Sequence, residues 1–338
     1  MEKKMKKKDS KDNRLFLVFM LLAIAFGVIY LFWGQYNSAQ TLFDLGFLRY
    51  RAEEQLGTVE TWAVPPADAE DYAKLKEDAA AWASRQETVT GSYEAVTAAQ
   101  HWGDSVRLTL DYTLYGPDTG KTVILLHGFC DSPDDSLVWA PFWQEAGWRV
   151  LIPVQRGYAD PGDTNYTPTT FGAYEQFDLY DLILALGLED EEVIVHGKGG
   201  GAAAAILMAA NESLAGAGLD GIVAESVYDN MGQTERALVK QLFGLGDSFV
   251  GRFLRELIVK KLGFDADSVD ICAAAANMSV PALFLCSAGD GFLGAQRTEA
   301  VSAACYAPNT IRHLQGSYRT LWLRDGEAYR TAVLDFLG

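Results

Sequence analysis

The chain has 338 residues, 49% of them apolar and 22% charged, which is a typical balance for a globular protein with a sizeable core. Its formal net charge is −17. Clustered Lys and Arg side chains drive binding to phosphate backbones, so an acidic body argues against a nucleic-acid partner. Four cysteines without a C-x-x-C pair favour free thiols over a disulfide framework. No ligand spacing indicates a metal site, and we expect no cofactor.

The N-terminus combines a basic tail with an apolar run. Residues 1–14 hold seven basic and three acidic side chains, and residues 15–33 (LFLVFMLLAIAFGVIYLFW) carry no charge. A helix over this run would be about 28 Å long, close to the thickness of a hydrocarbon core. The positive-inside rule then places the N-terminus in the cytoplasm and the main domain outside. We predict an uncleaved single-pass anchor in a cell membrane. The alternative is a cleaved signal peptide, whose apolar region should be shorter.

The remaining chain divides into a membrane-proximal linker and helix (residues 34–90) and a main domain (residues 91–338). Within the main domain, strand patterns alternate with helix patterns. We predict strands at about 106–114, 122–126, 148–153, 192–196, 221–225, 282–286 and 310–314, with helices at 137–148, 173–186, from 200, 296–306 and 327–337. This alternation indicates an α/β fold with a mainly parallel sheet and helices on both faces. Residues 227–280 have a helical pattern, and we expect them to cap the carboxyl edge of the sheet.

The most informative stretch covers residues 191–210 (EEVIVHGKGGGAAAAILMAA). A buried strand runs into a glycine-dense turn, and a helix of small residues begins at once. An enzyme that places a nucleophile on such a turn uses the pattern G-x-S-x-G, because side chains at the outer positions would collide with the strand or the helix. Gly197 and Gly201 fit the outer glycines, and Gly199 stands at the nucleophile position. The pattern therefore predicts the turn without its hydroxyl.

Several other segments resemble, in the same order, motifs of the α/β-hydrolases, and most closely those of membrane-anchored bacterial serine hydrolases. The likeness covers about residues 100–338 and rests on TVILLHGFCDSP, WRVLIPVQRGYADPGD, FGAYEQFDLYDLILAL, GIVAESVYDNM and VPALFLCSAGDGFL. It implies an α/β-hydrolase fold with a helical cap insertion. It also implies backbone donors for an oxyanion at Phe129 and Gly200, a pocket beside His127 and Cys130, and a catalytic acid at Asp290.

Two catalytic positions depart from this resemblance. The reaction needs a Ser hydroxyl, a His base and an orienting carboxylate, in the chain order Ser, Asp, His. Gly199 has no nucleophile, and the segment PNTIRHLQGSYRTLW puts Arg319 where the family has its His. Because Arg stays protonated, it cannot act as a base. We therefore expect a pseudoenzyme, in which Asp290 and Arg319 form an ion pair where the Asp–His pair stood.

One alternative keeps a hydrolytic reaction by another route. Cys130, next to the oxyanion loop, would then be the nucleophile. His313 is the nearest candidate base, although it falls inside the last predicted strand. Lys198, which precedes Gly199 in the glycine turn, is a further polar residue near the site, and we expect its side chain to be solvated. This reading gives an esterase or acyl hydrolase.

A second alternative is dinucleotide binding. Gly197, Gly199 and Ala202 fit G-x-G-x-x-A after a strand, and Glu225 ends the next strand, as a ribose-binding acid would. That fingerprint normally opens the first βαβ unit, whereas here at least two sheet strands and a His-Gly loop come before it. The favoured interpretation remains an anchored, inactive α/β-hydrolase-fold protein that binds an acyl or lipid-like ligand, or a protein partner, through its pocket or cap.

Overall fold

A single twisted sheet organises the fold. The computed structural model describes residues 26–41, 64–98, 107–128, 131–158, 167–243, 249–291 and 293–338. In this part of the chain the strands are β1 (Thr88–Ala95), β2 (Leu108–Tyr115), β3 (Lys121–Leu126), β4 (Arg149–Pro153), β5 (Glu192–Lys198), β6 (Gly221–Glu225), β7 (Ala282–Cys286) and β8 (Asn309–His313). They form one sheet in the order β1-β2-β4-β3-β5-β6-β7-β8. Only β2 pairs antiparallel with its neighbours, so the predicted mainly parallel sheet is confirmed.

Helices alternate with these strands, as the pattern predicts. They are α1 (Ala69–Ala83), α2 (Pro133–Ser136), α3 (Ala140–Glu145), α4 (Glu175–Leu186), α5 (Gly200–Ala210), α6 (Met231–Phe243), α7 (Phe249–Leu262), α8 (Ile271–Ala275), α9 (Ala295–Ala304), α10 (Leu321–Arg324) and α11 (Gly326–Leu337). The helix expected over residues 137–148 is divided between a 3₁₀ turn and α3. It ends early because Gly147 adopts a left-handed conformation (φ 89°) before β4 begins.

Both faces of the sheet are covered. Successive residues of a strand point to opposite faces, so Ile124 and Leu126 of β3 join one apolar core while Val123 and Leu125 join the other. Helices α4, α5 and α7 contribute buried side chains to the first core, and α1, α3 and α11 contribute to the second. Strands buried on both faces read as unbroken apolar runs, which is why the sequence indicates the central strands clearly.

The sheet begins earlier than the expected start of the main domain at residue 91. Strand β1 starts at Thr88, and Ala79 of α1 is buried in the second core. Most side chains of β1 are exposed or half-buried, because β1 lies at the edge of the sheet. An edge strand of this kind carries no run of apolar residues, so its sequence gave little indication of a strand.

The insertion over residues 227–280 is helical, as expected. Helices α6, α7 and α8 account for most of it, and Leu254 and Leu257 of α7 are buried in the core of the α4 and α5 face. Residues 26–41 are also helical, and Ala39 is buried in that core. Among the described residues, no helix is both long and apolar enough to cross a bilayer. Residues 15–25, where the predicted anchor begins, lie outside the described part.

Candidate functional site

The turn between β5 and α5 has the geometry that the glycine pattern predicts. Gly199 connects the strand to the helix with φ 51° and ψ −111°, a conformation that L side chains rarely adopt. A Cβ atom on Gly197 would lie 2.4 Å from the backbone nitrogen of Ala202, and one on Gly201 would lie 2.7 Å from the carbonyl oxygen of Leu126. The outer glycines are therefore required by the close approach of β3, β5 and α5.

The position of the expected nucleophile lies at the carboxyl end of the central strands. The Gly199 N–H donates a hydrogen bond to the carbonyl of Glu225, which ends the neighbouring strand β6. Gly200 follows as the first residue of α5, and His127 and Gly128 follow β3 at the same edge. Phe129 and Cys130, the other two residues expected here, lie outside the described residues. The structure thus places His127, Gly199 and Gly200 at one edge of the sheet.

Among the charged side chains buried at this edge, four are linked to one another by close contacts, and we call them the buried charge cluster: Asp131, Lys198, Glu225 and Arg319. Lys198 Nζ lies 3.1 Å from Asp131 Oδ2 and 3.8 Å from Glu225 Oε1. Arg319 Nε donates to Asp131 Oδ1 at 2.5 Å. The expectation of a solvated Lys198 is wrong, because its side chain is only 5% exposed. Lys198, the first variable position of the turn, therefore points into the protein interior, where the carboxylates of Asp131 and Glu225 contact it.

Asp131 is the centre of this cluster and is only 1% exposed. Burial by itself would raise the pKa of its carboxyl, but the charges of Lys198 and Arg319 outweigh burial and lower that pKa. The neighbouring Asp135 behaves in the same way: burial opposes ionisation, while the charges of Arg319 and Lys76 hold its pKa well below the usual range. Both carboxyls are therefore ionised at neutral pH, and they depend on the cations around them.

Glu225 stands at the end of a hydrogen-bonded chain of buried side chains. Trp143 Nε1 donates to His196 Nδ1 at 2.9 Å, so the proton of the neutral ring sits on Nε2, 2.7 Å from the Tyr329 hydroxyl. That hydroxyl donates to Glu225. Burial lowers the pKa of His196 to about 3 and raises the pKa of Glu225 to about 7, although Lys198 and Tyr329 oppose the second shift.

Asp290, at the expected acid position, is buried in the loop after β7. Its Oδ1 accepts a hydrogen bond from the N–H of Leu293 at 3.0 Å. This loop packs tightly on the loop after β8, because Ser287 Oγ donates to the carbonyl of Gly316 at 2.7 Å. The acid loop and the loop that holds Arg319 are therefore neighbours. The carboxylate that we find bonded to Arg319 is Asp131, and the pair of Arg319 with Asp290 stays a prediction.

Sequence reasoning did not single out two residues of the site, Asp131 and Tyr318. A Cβ atom on Gly128 would lie 2.2 Å from the Tyr318 hydroxyl, so this ring covers the loop after β3. Lys198 Nζ lies 5.1 Å from the centre of the same ring. The signal for Asp131 was its position directly after the His-Gly loop, at the carboxyl end of a buried strand. Tyr318 had no comparable signal.

The candidate base of the alternative reaction is an exposed side chain paired with a surface carboxylate. His313 Nε2 lies 2.8 Å from Glu299 Oε1, and the His313 side chain is 54% exposed. The proposed role of His313 as a base is therefore wrong. Cys272, Cys286 and Cys305 are free thiols, as expected.

A small cavity opens beside the turn, with room for about one water molecule. Its lining includes His127, Gln155, Tyr158, Glu175 and Gly200. Four groups donate hydrogen bonds to the Glu175 carboxylate, namely the hydroxyls of Thr169 and Thr170 and the N–H groups of Thr170 and Gly172. This carboxylate therefore serves to hold the loop that precedes α4.

Known proteins share this fold at low sequence identity. No family model matches the chain. Among curated proteins, the uncharacterized protein YqkD of Bacillus subtilis is 23% identical over 224 residues, which cover 65% of this chain and 72% of YqkD. Among solved structures, the esterase Pf2001 of Pyrococcus furiosus aligns with a TM-score of 0.57 at 16% identity, over 77% of this chain and 93% of the esterase.

Two further structures agree with this comparison. Rv0554 of Mycobacterium tuberculosis aligns with a TM-score of 0.52 at 16% identity, over 73% of this chain and 98% of Rv0554. A bromoperoxidase of Bacillus anthracis aligns with a TM-score of 0.50 at 14% identity, over 74% of this chain and 99% of the bromoperoxidase. Structural likeness at identities this low establishes the fold alone. The chemistry of each site depends on its own residues. The chain has the α/β-hydrolase fold.

Proposed function

We propose that this α/β-hydrolase-fold protein no longer hydrolyses a substrate and works by binding, as a pseudoenzyme held at a cell membrane. The observation that carries the proposal is the composition of the site. The nucleophile turn keeps its backbone conformation, while Gly199 offers no side chain to attack a carbonyl. Arg319 stands where the resemblance places the base, and its guanidinium is bonded to Asp131.

The buried charge cluster supports this proposal. A hydrolase needs an imidazole that can take a proton from the nucleophile and return it to the leaving group. Here the corresponding loop contributes a cation that cannot titrate near neutral pH. Lys198 and Arg319 together offset the charge of Asp131, so these three side chains form satisfied ion pairs and supply no base at the position of the imidazole.

The proposed ligand is an acyl or lipid-like molecule, or a protein partner, bound at the cap. The support for this class is the apolar side chains of the cap helix α7, which buries aliphatic residues and exposes Phe249 and Val259. The proposed location is the outer side of a cell membrane, with the basic N-terminus in the cytoplasm. It rests on the uncharged run at residues 15–33 and the basic tail before it.

The buried position of Glu225 argues against the dinucleotide-binding alternative. Glu225, the expected ribose-binding acid, is only 2% exposed and is engaged by Tyr329 and Lys198. A hydrolase with Cys130 as the nucleophile keeps its candidate nucleophile but loses His313 as its base.

The test is ester hydrolysis by the full chain in detergent, with short-chain and medium-chain aryl esters. We expect no turnover above a heat-inactivated sample, both for the wild type and for Cys130→Ala. Turnover by the wild type that is abolished by Asp290→Ala would refute the proposal. Loss of turnover in Cys130→Ala alone would instead identify the thiol as the nucleophile.

A further inference from the structure

A basic helix of the cap lies directly against the end of the predicted anchor. The ring of Phe32 lies 5.4 Å from that of Phe249 and 6.3 Å from that of Phe253, and the ring of Tyr36 lies 6.0 Å from that of Phe253. Three edge-on aromatic contacts therefore join residues 32–36 to the first turns of α7. Such contacts contribute specific geometry as well as buried area.

These contacts set the direction of α7 relative to the anchor. Moving four residues from Phe32 to Tyr36 moves the contact from Phe249 towards Phe253, so the two helices run in the same direction where they touch. Phe32 is the second-last residue of the apolar run at 15–33. If that run spans the hydrocarbon core, Phe32 lies within about 3 Å of its boundary. The N-terminal end of α7 then lies at the bilayer surface.

The side chains at this end of α7 suit a membrane interface. The ring of Phe249 is 55% exposed, and the Arg252 guanidinium lies 5.7 Å from its centre. An exposed aromatic ring beside a cation is typical of the level where acyl chains meet headgroups. Helix α7 carries four basic side chains and one acidic side chain in a protein whose net charge is −17. Lys260 and Lys261 lie in the last turn, whereas Arg252 lies in the first turn beside Phe249, where its charge is opposite to that of the body and complements an anionic membrane.

We propose that the N-terminal end of α7, with Phe249 and Arg252, sits in the surface of the bilayer that holds the anchor, and that it prefers anionic phospholipid. The cap is then fixed against the membrane by the end of the anchor instead of moving freely on a linker. This inference rests on the proposed anchor at residues 15–33, and its test separates the two.

The test uses the full chain reconstituted into phospholipid vesicles, with a photo-crosslinking benzoylphenylalanine in place of one residue at a time. Position 249 is the probe. Position 259 on the same helix is 49% exposed and lies about 15 Å further along α7. Position 334 on α11 is the control, because Leu334 is 47% exposed and α11 covers the opposite face of the sheet. The readout is the yield of lipid attached to the protein.

We expect lipid attachment to be highest at position 249, lower at 259 and at background at 334. The yield at 249 should rise when phosphatidylglycerol replaces part of the phosphatidylcholine, and Arg252→Glu should remove that rise. Phe32→Ala should lower the yield at 249 at least twofold while the protein still floats with vesicles. Leu31→Ala, a matched change of an exposed residue on the same helix, should leave the yield unchanged.

Three results would overturn the inference. Equal yields at 249 and 334 in protein that floats with vesicles would refute the contact and leave the anchor intact. Attachment of position 249 to a second copy of the chain would show that the exposed face is covered by protein. Failure to float with vesicles would refute the anchor and this inference together, without touching the proposed loss of hydrolysis. Thermal unfolding of each variant verifies that it is folded.

Discussion

Removal of Arg319 tests whether the buried charge cluster stabilises the fold. In Arg319→Ala, Asp131 keeps Lys198 but loses the guanidinium bonded to its Oδ1. Breaking a buried ion pair from one side typically costs about 3–5 kcal/mol. Because Lys198 remains, we expect about 3 kcal/mol here, which corresponds to a fall in Tm of roughly 6–12 °C for a domain of this size.

The pH dependence of this loss follows from the lowered pKa of Asp131. A carboxyl whose pKa is lower in the folded state contributes stability that is present above its unfolded pKa and is lost as the pH falls through the folded pKa. Without Arg319 the carboxyl can take up a proton more easily on acidification. The difference in Tm between wild type and Arg319→Ala should therefore be largest near pH 7 and should narrow towards pH 4.

The assay is thermal unfolding of the full chain in detergent across this pH range. The matched control is Arg330→Ala, which removes an exposed ion pair between Arg330 and Glu145, whose N–O distance is 2.8 Å. We expect this change to lower the free energy of unfolding by less than about 1 kcal/mol. Arg319→Lys, which keeps the charge, should recover part of the loss. If Arg319→Ala unfolds at the same temperature as Arg330→Ala at pH 7, the reasoning about the cluster is refuted.

Three further changes test the rest of the site. Glu225→Gln should gain stability relative to wild type as the pH rises from 5 to 8. The folded protein raises the pKa of the Glu225 carboxyl to about 7, so ionising this carboxyl above its unfolded pKa destabilises the wild type and leaves the variant unaffected. A difference in Tm that stays constant over this range would contradict that reasoning. Tyr329→Phe should cost about 1–3 kcal/mol in urea unfolding, because it removes a buried hydroxyl that bonds Glu225 and His196, and an unchanged midpoint would count against the chain. Gly197→Ala should prevent folding, because its Cβ would meet backbone atoms at 2.4 Å, whereas Gly218→Ala, with open space around it, should fold normally; soluble, folded Gly197→Ala would refute the close approach.

The fold was largely readable from the sequence, because the central strands are buried on both faces. Strands β6 and β7 have the predicted bounds, and β5 runs into α5 through the glycine turn where we placed it. Strand β1 was not predicted, because most of its side chains are exposed and its sequence lacks an apolar pattern. Local patterns identify elements well where burial is continuous and poorly at edges.

The site was only partly readable, for a different reason. Gly199 and Arg319 could be located because each occupies a fixed place in a local motif. The burial of Lys198 depends on Asp131, which is 67 residues away in the chain, and Asp131 also depends on Arg319, 188 residues away. No local pattern contains such pairs. From the sequence alone, a lysine in a turn is therefore predicted to be solvated, because its partners are distant in the chain.

We propose that two side chains separate this site from a working hydrolase. The most direct measurement is aryl-ester turnover by the double variant Gly199→Ser/Arg319→His beside the wild type and Gly199→Ser alone, each shown to be folded. We predict a silent wild type, a silent or very slow Gly199→Ser, and turnover by the double variant that is lost again in Asp290→Ala. Turnover by the wild type at a rate equal to that of the double variant would contradict the claim.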